Sequence, residues 1–364
     1  MTYSLAWKSD KSIFMAADTA ITSSEELNIQ KSSFGQKHYQ DKNTARSVQE
    51  SVVKFFLEYN IGLTFAGSYD LAISVAKSFY TEIIKNKSPL EALKWSLFLN
   101  PPTEDKNIQL AIGYFDGEPK LITYNSEHNS KIEVDKYIVQ LGNPLEVHKR
   151  LSRAWIEDLI NNKSYKDDLK LSAALGIFQS YNLFSPQMER GIGGAFCGLY
   201  IDKLGGHWQP DILFIEHGGN NSKLVSTCFR HDCLVINSPT IGQSRCFLSY
   251  LPPLDNKYII SQANKAIAKG KTLSNQAEFE YIVILNVEKV TIPLVEMNRN
   301  KKHGIIWIKR CQDGDRDGFE ITMFPRMREL LKRDGPGLNI VHYWEPTVKK
   351  IPGDKIINRT ISYN

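Results

Sequence analysis

At 364 residues and 42% hydrophobic side chains, the chain is long enough to bury a large core as one enlarged domain or two. Its net charge of +5 is small for that length and does not by itself point to nucleic acid. No apolar run is long enough for a bilayer, the N-terminus lacks the basic-then-apolar pattern of a signal peptide, and five cysteines without framework spacing (Cys197, Cys228, Cys233, Cys246, Cys311) fit reduced thiols, so a cytoplasmic protein without membrane contact is expected.

The first stretch reads as a hairpin. Tyr3, Leu5 and Trp7 alternate with Ser4, Ala6 and Lys8, the period of a strand with one buried face; Ser9-Asp10-Lys11 turns the chain, and Ser12 to Ala17 runs back. Met1 precedes a small residue, so its removal is expected to leave Thr2 as first residue, with a hydroxyl and a free α-amine together. A threonine hydroxyl needs a base within hydrogen-bond reach, and an α-amine of ordinary pKa ~7.7–8.0, pushed down by a nearby cation, is such a base. This chemistry calls for a lysine beside Thr2 and a carboxylate to hold it. Asp18, at the open end of the hairpin, stands level with residue 2.

The polar segment Thr19 to Ser51 follows, then strand Val52 to Leu57, turn Glu58 to Asn60 and strand Ile61 to Ala66. Ser68 to Lys87 places Leu71, Val75, Phe79, Ile83 and Ile84 at helical intervals, and Ser88-Pro89 starts a second helix that runs to Leu99. Strands are expected at Ile108 to Phe115, Pro119 to Tyr124 and Lys131 to Leu141, helices at Glu146 to Ile160 and Asp167 to Ser180, and strands at Ala195 to Ile201 and Asp211 to Glu216. This order suits a four-layer α-β-β-α sandwich over residues 1–216, an α+β fold. Residues 217–364 read as an appended α+β region, with strands at Lys223 to Val235, Tyr281 to Val287, Ile305 to Ile308 and Phe319 to Phe324, and helices near Tyr258 to Ala268 and Arg326 to Lys332.

Three signals in the second half have ordinary readings. Cys228-Phe-Arg-His231-Asp-Cys233 lacks a second ligand pair, so buried strand cysteines are expected rather than zinc. Asp313-Gly-Asp315-Arg-Asp317-Gly318 begins like a calcium loop, but Phe324 stands where the bidentate glutamate belongs, and a hairpin turn is expected. Residues 321–364 hold eight Lys/Arg against four Asp/Glu, a solvated basic face rather than a nucleic-acid site.

The run Thr2-Tyr-Ser-Leu-Ala-Trp-Lys8 and Phe14-Met-Ala-Ala-Asp18-Thr19, with Asn60-Ile-Gly-Leu-Thr-Phe-Ala-Gly67-Ser68 and the helix after it, resembles the proteasome β-subunit family of N-terminal-nucleophile hydrolases, bacterial members of the HslV and Anbu kind above all. The resemblance covers roughly residues 1–216 and implies a threonine-type peptidase. It makes Thr2 the nucleophile and Asp18 the residue that holds a strand lysine. Counting residues points to Lys31 for that lysine; the hairpin pattern of Val52 to Ala66 points to Lys54, which we prefer. It gives the Gly67 N–H to the oxyanion, a role suited to a glycine at a strand end that opens a helix. Ile21, Phe65 and Tyr69 would line the pocket for the substrate residue before the scissile bond.

Two family motifs are altered: Gly142-Asn143-Pro144 replaces Gly-Ser-Gly, and Glu189-Arg-Gly-Ile192-Gly-Gly194 replaces Asp-x-x-Ser-Gly-Gly. Asn143 and Glu189 can substitute as hydrogen-bonding groups; Ile192 cannot. A threonine at position 2, an aspartate after a strand and a strand lysine each have ordinary structural uses, and their joint occurrence favours catalysis. The reading includes no cofactor and no metal. Its partners are a peptide or small amide substrate, further copies in a homo-oligomer and, by resemblance, an ATPase. Two alternatives stay open, a non-peptidase amidase of the same nucleophile class and a catalytically silent scaffold or binding protein.

Overall fold

The computed structural model describes residues 2–24, 31–41, 46–127, 130–184, 187–217, 223–230, 233–238, 243–248, 261, 264–265, 268, 279–286, 291–296, 306–313, 316–323, 337–342 and 357–362. The chain begins with β1 (Tyr3–Lys8) and β2 (Ile13–Asp18), paired antiparallel with Ser4 opposite Ala17. The Ser9 hydroxyl closes their turn by accepting the Ser12 N–H at 3.1 Å. The hairpin was expected to bury one face. Instead Ser4 and Ala6 are as deeply buried as Leu5, because a second sheet covers the other side.

The polar stretch after β2 is not a plain loop. It holds β3 (Ala20–Ser23), β4 (Tyr39–Asp41) and β5 (Arg46–Glu50), a small sheet in the order β3-β5-β4. Phe34 and Val48 are buried there with Ser32, Ser33 and Gln36, so polar side chains make up much of its interior and hid it from a hydrophobicity pattern. Next come β6 (Phe55–Glu58) and β7 (Ile61–Gly67), turned by Tyr59 and Asn60. Both turn residues have positive φ, 54° and 58°, the conformation of a two-residue turn that matches strand twist.

Two helices follow. α1 (Tyr69–Ile84) is capped by Ser68, and α2 (Pro89–Leu99) starts with a full capping box between Ser88 and Glu91 with Pro89 at its first position. The stripe Leu71, Val75, Ala76, Phe79 and Tyr80 on α1 is buried. A fully buried Leu or Phe of this kind contributes ~1.5–3 kcal/mol of transfer free energy.

β8 (Ile108–Asp116) and β9 (Glu118–Asn125) form a hairpin over Gly117. The run expected as one strand from Lys131 to Leu141 is two, β10 (Lys131–Val134) and β11 (Ile138–Gly142), which belong to different sheets. Asp135 makes the break at φ 68°, and its carboxylate accepts from Lys8 Nζ at 2.7 Å. α3 (Glu146–Asn161), α4 (Asp167–Phe184), β12 (Phe196–Asp202) and β13 (Gly205–Trp208) complete this part.

Two five-stranded sheets result, β11-β1-β2-β12-β13 and β10-β9-β8-β7-β6. They touch at β1, β2 and β12 against β7 and β8. Gly62 and Gly113 allow that approach: a Cβ on Gly113 would lie 2.7 Å from Ile13 Cγ2, and one on Gly62 would lie 3.0 Å from Ile201 Cδ1. One apolar cluster joins α1 and α2 to the sheet of β6–β10. Another joins α3 and α4 to the sheet of β1.

The last strands are β14 (Ile212–His217), β15 (Lys223–Arg230), β16 (Cys233–Ser238), β17 (Gln243–Leu248), β18 (Tyr281–Asn286), β19 (Thr291–Glu296), β20 (Ile306–Asp313), β21 (Arg316–Met323), β22 (Gly337–His342) and β23 (Ile357–Ser362). They form a seven-stranded sheet, β17-β16-β15-β14-β18-β19-β22, and a three-stranded one, β20-β21-β23. β14 was expected to finish the first region; it pairs instead with β15 and β18 of the seven-stranded sheet. That sheet packs on α4, so Phe214, Val225, Ile236 and Val283 share one core with Leu171 and Phe178 of the helix. Among α4 residues, Lys170, Ser172, Gln179 and Ser180 are buried as well, so the helix is enclosed on all sides.

Of the expected helix near 258–268, only Ser261, Asn264, Lys265 and Ala268 are described, and they are helical; 326–332 lie outside the described residues. Cys228 and Cys233 are buried on neighbouring strands, while His231 lies outside the described residues. β20 and β21 pair as a hairpin up to Asp313 opposite Arg316. Among the described residues no helix is long and apolar enough to cross a membrane.

Candidate active site

The site is built where β1 begins and β2 ends. Because Ser4 faces Ala17, the next positions outward are Tyr3 and Asp18, with Thr2 just beyond, buried at 4% exposure. On its other side β1 pairs with β11, Tyr3 opposite Gly142. Gly142 has φ 86°, and a Cβ there would sit 1.6 Å from the Thr2 carbonyl oxygen, so only glycine fits beside the nucleophile candidate. The Gly142 N–H donates to Gln109 Oε1 at 2.8 Å, which fixes this corner to β8.

Asp18 is fully buried, and both carboxylate oxygens are occupied. Oδ1 accepts from Lys54 Nζ at 2.7 Å and from the Tyr3 N–H at 3.0 Å; Oδ2 accepts from the Gly193 N–H at 2.9 Å and the Ala20 N–H at 3.2 Å. A buried carboxylate is tolerated only in such a paired, hydrogen-bonded setting. Lys54 is 1% exposed and stands immediately before β6 rather than within it. Its neighbours Val53 and Phe55 go into the core while its ammonium goes to Asp18, the alternation expected. Burial lowers the Lys54 pKa, and the Asp18 charge and hydrogen bond work against that shift. Cys197 lies near the pair on β12, its thiol pushed well up by burial first and the Asp18 charge second. Lys31, the alternative lysine, is exposed; its backbone bridges Lys37.

Gly67 ends β7 at φ 106° and is exposed; a Cβ would come within 2.4 Å of the Asn107 carbonyl oxygen. The neighbouring Ser68 caps α1 by accepting the Leu71 N–H at 3.4 Å. Ser4 Oγ donates to the Phe65 carbonyl at 3.0 Å and so ties β1 to the strand that ends in Gly67. Phe65 itself is buried, stacked on Phe56 with ring centroids 6.0 Å apart and tilted against Tyr69, also at 6.0 Å. Tyr69 is half-buried, and Ile21 lies on the separate sheet of β3, opposite Gln49.

The supporting candidates are placed differently. Asn143 and Glu189 are exposed, and neither side chain hydrogen-bonds Asp18 or Lys54. The Glu189 carbonyl accepts from Arg46 Nη2 at 3.3 Å. Ile192 is buried in the core, where its apolar side chain fits.

Sequence reasoning missed the groups that hold the Gly193–Phe196 segment. Gln36 Oε1 accepts the Gly194 N–H at 3.0 Å, Glu50 Oε1 the Ala195 N–H at 2.8 Å, and Gln179 Oε1 the Phe196 N–H at 2.9 Å. The only signal for them was a glutamate and glutamines within otherwise polar or helical runs, and composition alone does not separate those from solvated residues.

No family model and no curated protein matches the chain. Among solved structures it is similar to eukaryotic HslV from Trypanosoma brucei, with 12% identity, 55% of this chain and 99% of that chain covered, and a TM-score of 0.39. It is also similar to the Anbu (Gly-1) mutant from Hyphomicrobium sp. strain MC1, with 11% identity, 56% and 82% covered, and a TM-score of 0.35.

Proposed function

We propose that the chain is a threonine-type N-terminal-nucleophile hydrolase that cleaves peptides, with the first part of the chain forming a four-layer α-β-β-α sandwich. The observation that carries this reading is the buried Lys54–Asp18 pair at 2.7 Å, with Asp18 also bound to the backbone of Tyr3, directly next to Thr2. After loss of Met1, Thr2 Oγ attacks the substrate carbonyl while the Thr2 amine takes the hydroxyl proton and passes it to the leaving amine. An ester forms as the amide bond breaks, and water then hydrolyses the ester through the same amine. Lys54 supplies positive charge that lowers the amine pKa, Asp18 holds Lys54, and the Gly67 N–H stabilises the oxyanion. Ile21, Phe65 and Tyr69 shape the pocket before the scissile bond, and the bulk of Phe65 favours a small substrate side chain there. A cytoplasmic location and homo-oligomeric rings working with an ATPase belong to the same reading.

Intact mass before and after exposure to a β-lactone or epoxyketone tests this. Loss of methionine plus a single adduct, both absent in Thr2→Ala, is the expected result, and a chain that retains Met1 and takes no adduct refutes it. A panel of fluorogenic peptides checks the pocket, since equal cleavage of large and small residues counts against the role of Phe65.

One observation favours a second reading, a catalytically silent scaffold. Ile192 stands in the core at a position where the family has a serine beside the threonine, and it offers no hydroxyl to order the amine. The mass experiment separates the two.

A further inference from the structure

Four consecutive backbone N–H groups, Gly193 to Phe196, are each taken by a side chain from elsewhere in the chain. Asp18 holds Gly193, Gln36 holds Gly194, Glu50 holds Ala195 and Gln179 holds Phe196. Thr19 Oγ1 also accepts the Ala195 N–H at 2.9 Å. Glu50 is the busiest of these groups. Its Oε1 accepts from Thr19 Oγ1 at 3.2 Å as well as from Ala195, and its Oε2 accepts both the N–H and the hydroxyl of Ser33 at 2.7 Å. The cation for this carboxylate comes from far along the chain: Arg245 of β17 pairs with Glu50 Oε2 through Nη1 and donates through Nη2 to the Lys31 carbonyl. Both partners are buried, Glu50 at 5% exposure and Arg245 at 8%.

We propose that Arg245 is a positioning residue for the Asp18–Lys54 site, acting through Glu50 and the Gly193–Ala195 backbone; this rests on the hydrolase reading above. A buried carboxylate stripped of its cation takes up a proton or draws in water, and its acceptor oxygens are then shared with the new partner. The hold on the Ala195 N–H weakens. Two residues earlier, the Gly193 N–H is, among the described residues, one of two donors to Asp18 Oδ2, so a looser segment lets Asp18 turn and carry Lys54 with it. The seven-stranded sheet thus contributes a side chain to the support of a site on a different sheet.

The test compares wild type, Arg245→Met, Arg245→Lys and the double variant Glu50→Gln/Arg245→Met in the full chain. Two quantities are read: hydrogen exchange of the peptide spanning residues 191–197, and the rate of acylation by a β-lactone, separated into affinity and maximal rate. In Arg245→Met, exchange is expected about tenfold faster and maximal acylation about tenfold slower at unchanged affinity, as for a small misplacement of reacting groups. Arg245→Lys is expected to recover much of both, because it restores the charge. The double variant is expected to recover exchange protection in part, because a neutral amide needs no cation and its oxygen can still accept the Ala195 N–H, while its nitrogen cannot accept the Ser33 N–H. Native exchange and native acylation in Arg245→Met overturn the proposal; so do equal losses in all three variants, the pattern of a merely structural contact. If wild type takes no adduct, the hydrolase reading fails, and exchange alone decides whether Arg245 holds the segment. If Arg245→Met does not fold, Arg245→Gln, which also removes the charge, is decisive: faster exchange confined to residues 191–197 supports the brace, and unchanged exchange overturns it.

Discussion

The Lys54 ammonium lies 2.7 Å from the Asp18 carboxylate, and both side chains are almost wholly removed from solvent. Breaking such a pair on one side leaves the other charge stranded. Lys54→Met alone or Asp18→Leu alone is therefore expected to cost about 3–5 kcal/mol, and the double variant less than the sum of the two but no less than either, because the Tyr3, Ala20 and Gly193 N–H groups still lose their carboxylate. Urea midpoints of the three proteins check this. Their adduct formation is a separate reading, since Lys54→Met and the double variant lose the cation proposed to tune the amine, and Asp18→Leu loses the carboxylate that holds it.

Gly142→Ala is expected to disrupt the threonine end of β1. The new Cβ meets the Thr2 carbonyl and also forces φ 86° on a residue with a side chain, so strain of about 1–3 kcal/mol is expected. Thermal denaturation measures the cost. Gly117→Ala is the comparison, since it also has positive φ but open space around it, and it is expected to lose less.

His148 gives a pH dependence with a definite sign. Burial lowers its pKa, its Nδ1 faces the Gln187 amide nitrogen, and its ring stacks on Tyr181. In the unfolded chain the ring titrates at about 6.5. Between that value and the lower folded one, the unfolded chain binds more protons, so stability is present above about 6.5 and is lost as pH falls through the window. Urea midpoints at about pH 7.5 and about pH 5 are expected to differ less in His148→Phe than in wild type.

Ser88→Ala is expected to cost about 1 kcal/mol, because the Ser88 hydroxyl accepts the Glu91 N–H while the Glu91 carboxylate accepts back from Ser88. Circular dichroism melts read it. Ser74→Ala, an exposed change inside α1, serves as a control and is expected to stay within about 0.5 kcal/mol of wild type.

What the sequence showed and what it hid follow from the kind of interaction involved. Periodic apolar residues announced α1, α2 and the hairpin of β1 and β2, because burial of a face leaves a pattern in the residues themselves. The spacing of sixteen from Thr2 to Asp18, and the hairpin around Lys54, are local enough to read as well. The sheet of β3, β4 and β5 was not legible: beside Phe34 and Val48 its interior holds Ser32, Ser33, Gln36 and Glu50, whose burial depends on partners such as Asn182 and Arg245 far along the chain. The break at Asp135 was missed for a similar reason, since an aspartate at positive φ inside a strand-like run carries no periodic mark. β14 fitted the expected element order, yet its hydrogen-bond partners were a matter of tertiary choice.

The enclosure of α4 has a consequence for how the molecule can be divided. A helix that carries Leu171, Leu175 and Phe178 in the company of both the β1 sheet and the seven-stranded sheet has no side suited to water. Cutting the chain after residue 216 would bare a broad greasy strip and orphan β14 from both its neighbours, leaving a sticky fragment with a raw strand edge. The two halves are therefore expected to melt together, in one transition rather than two.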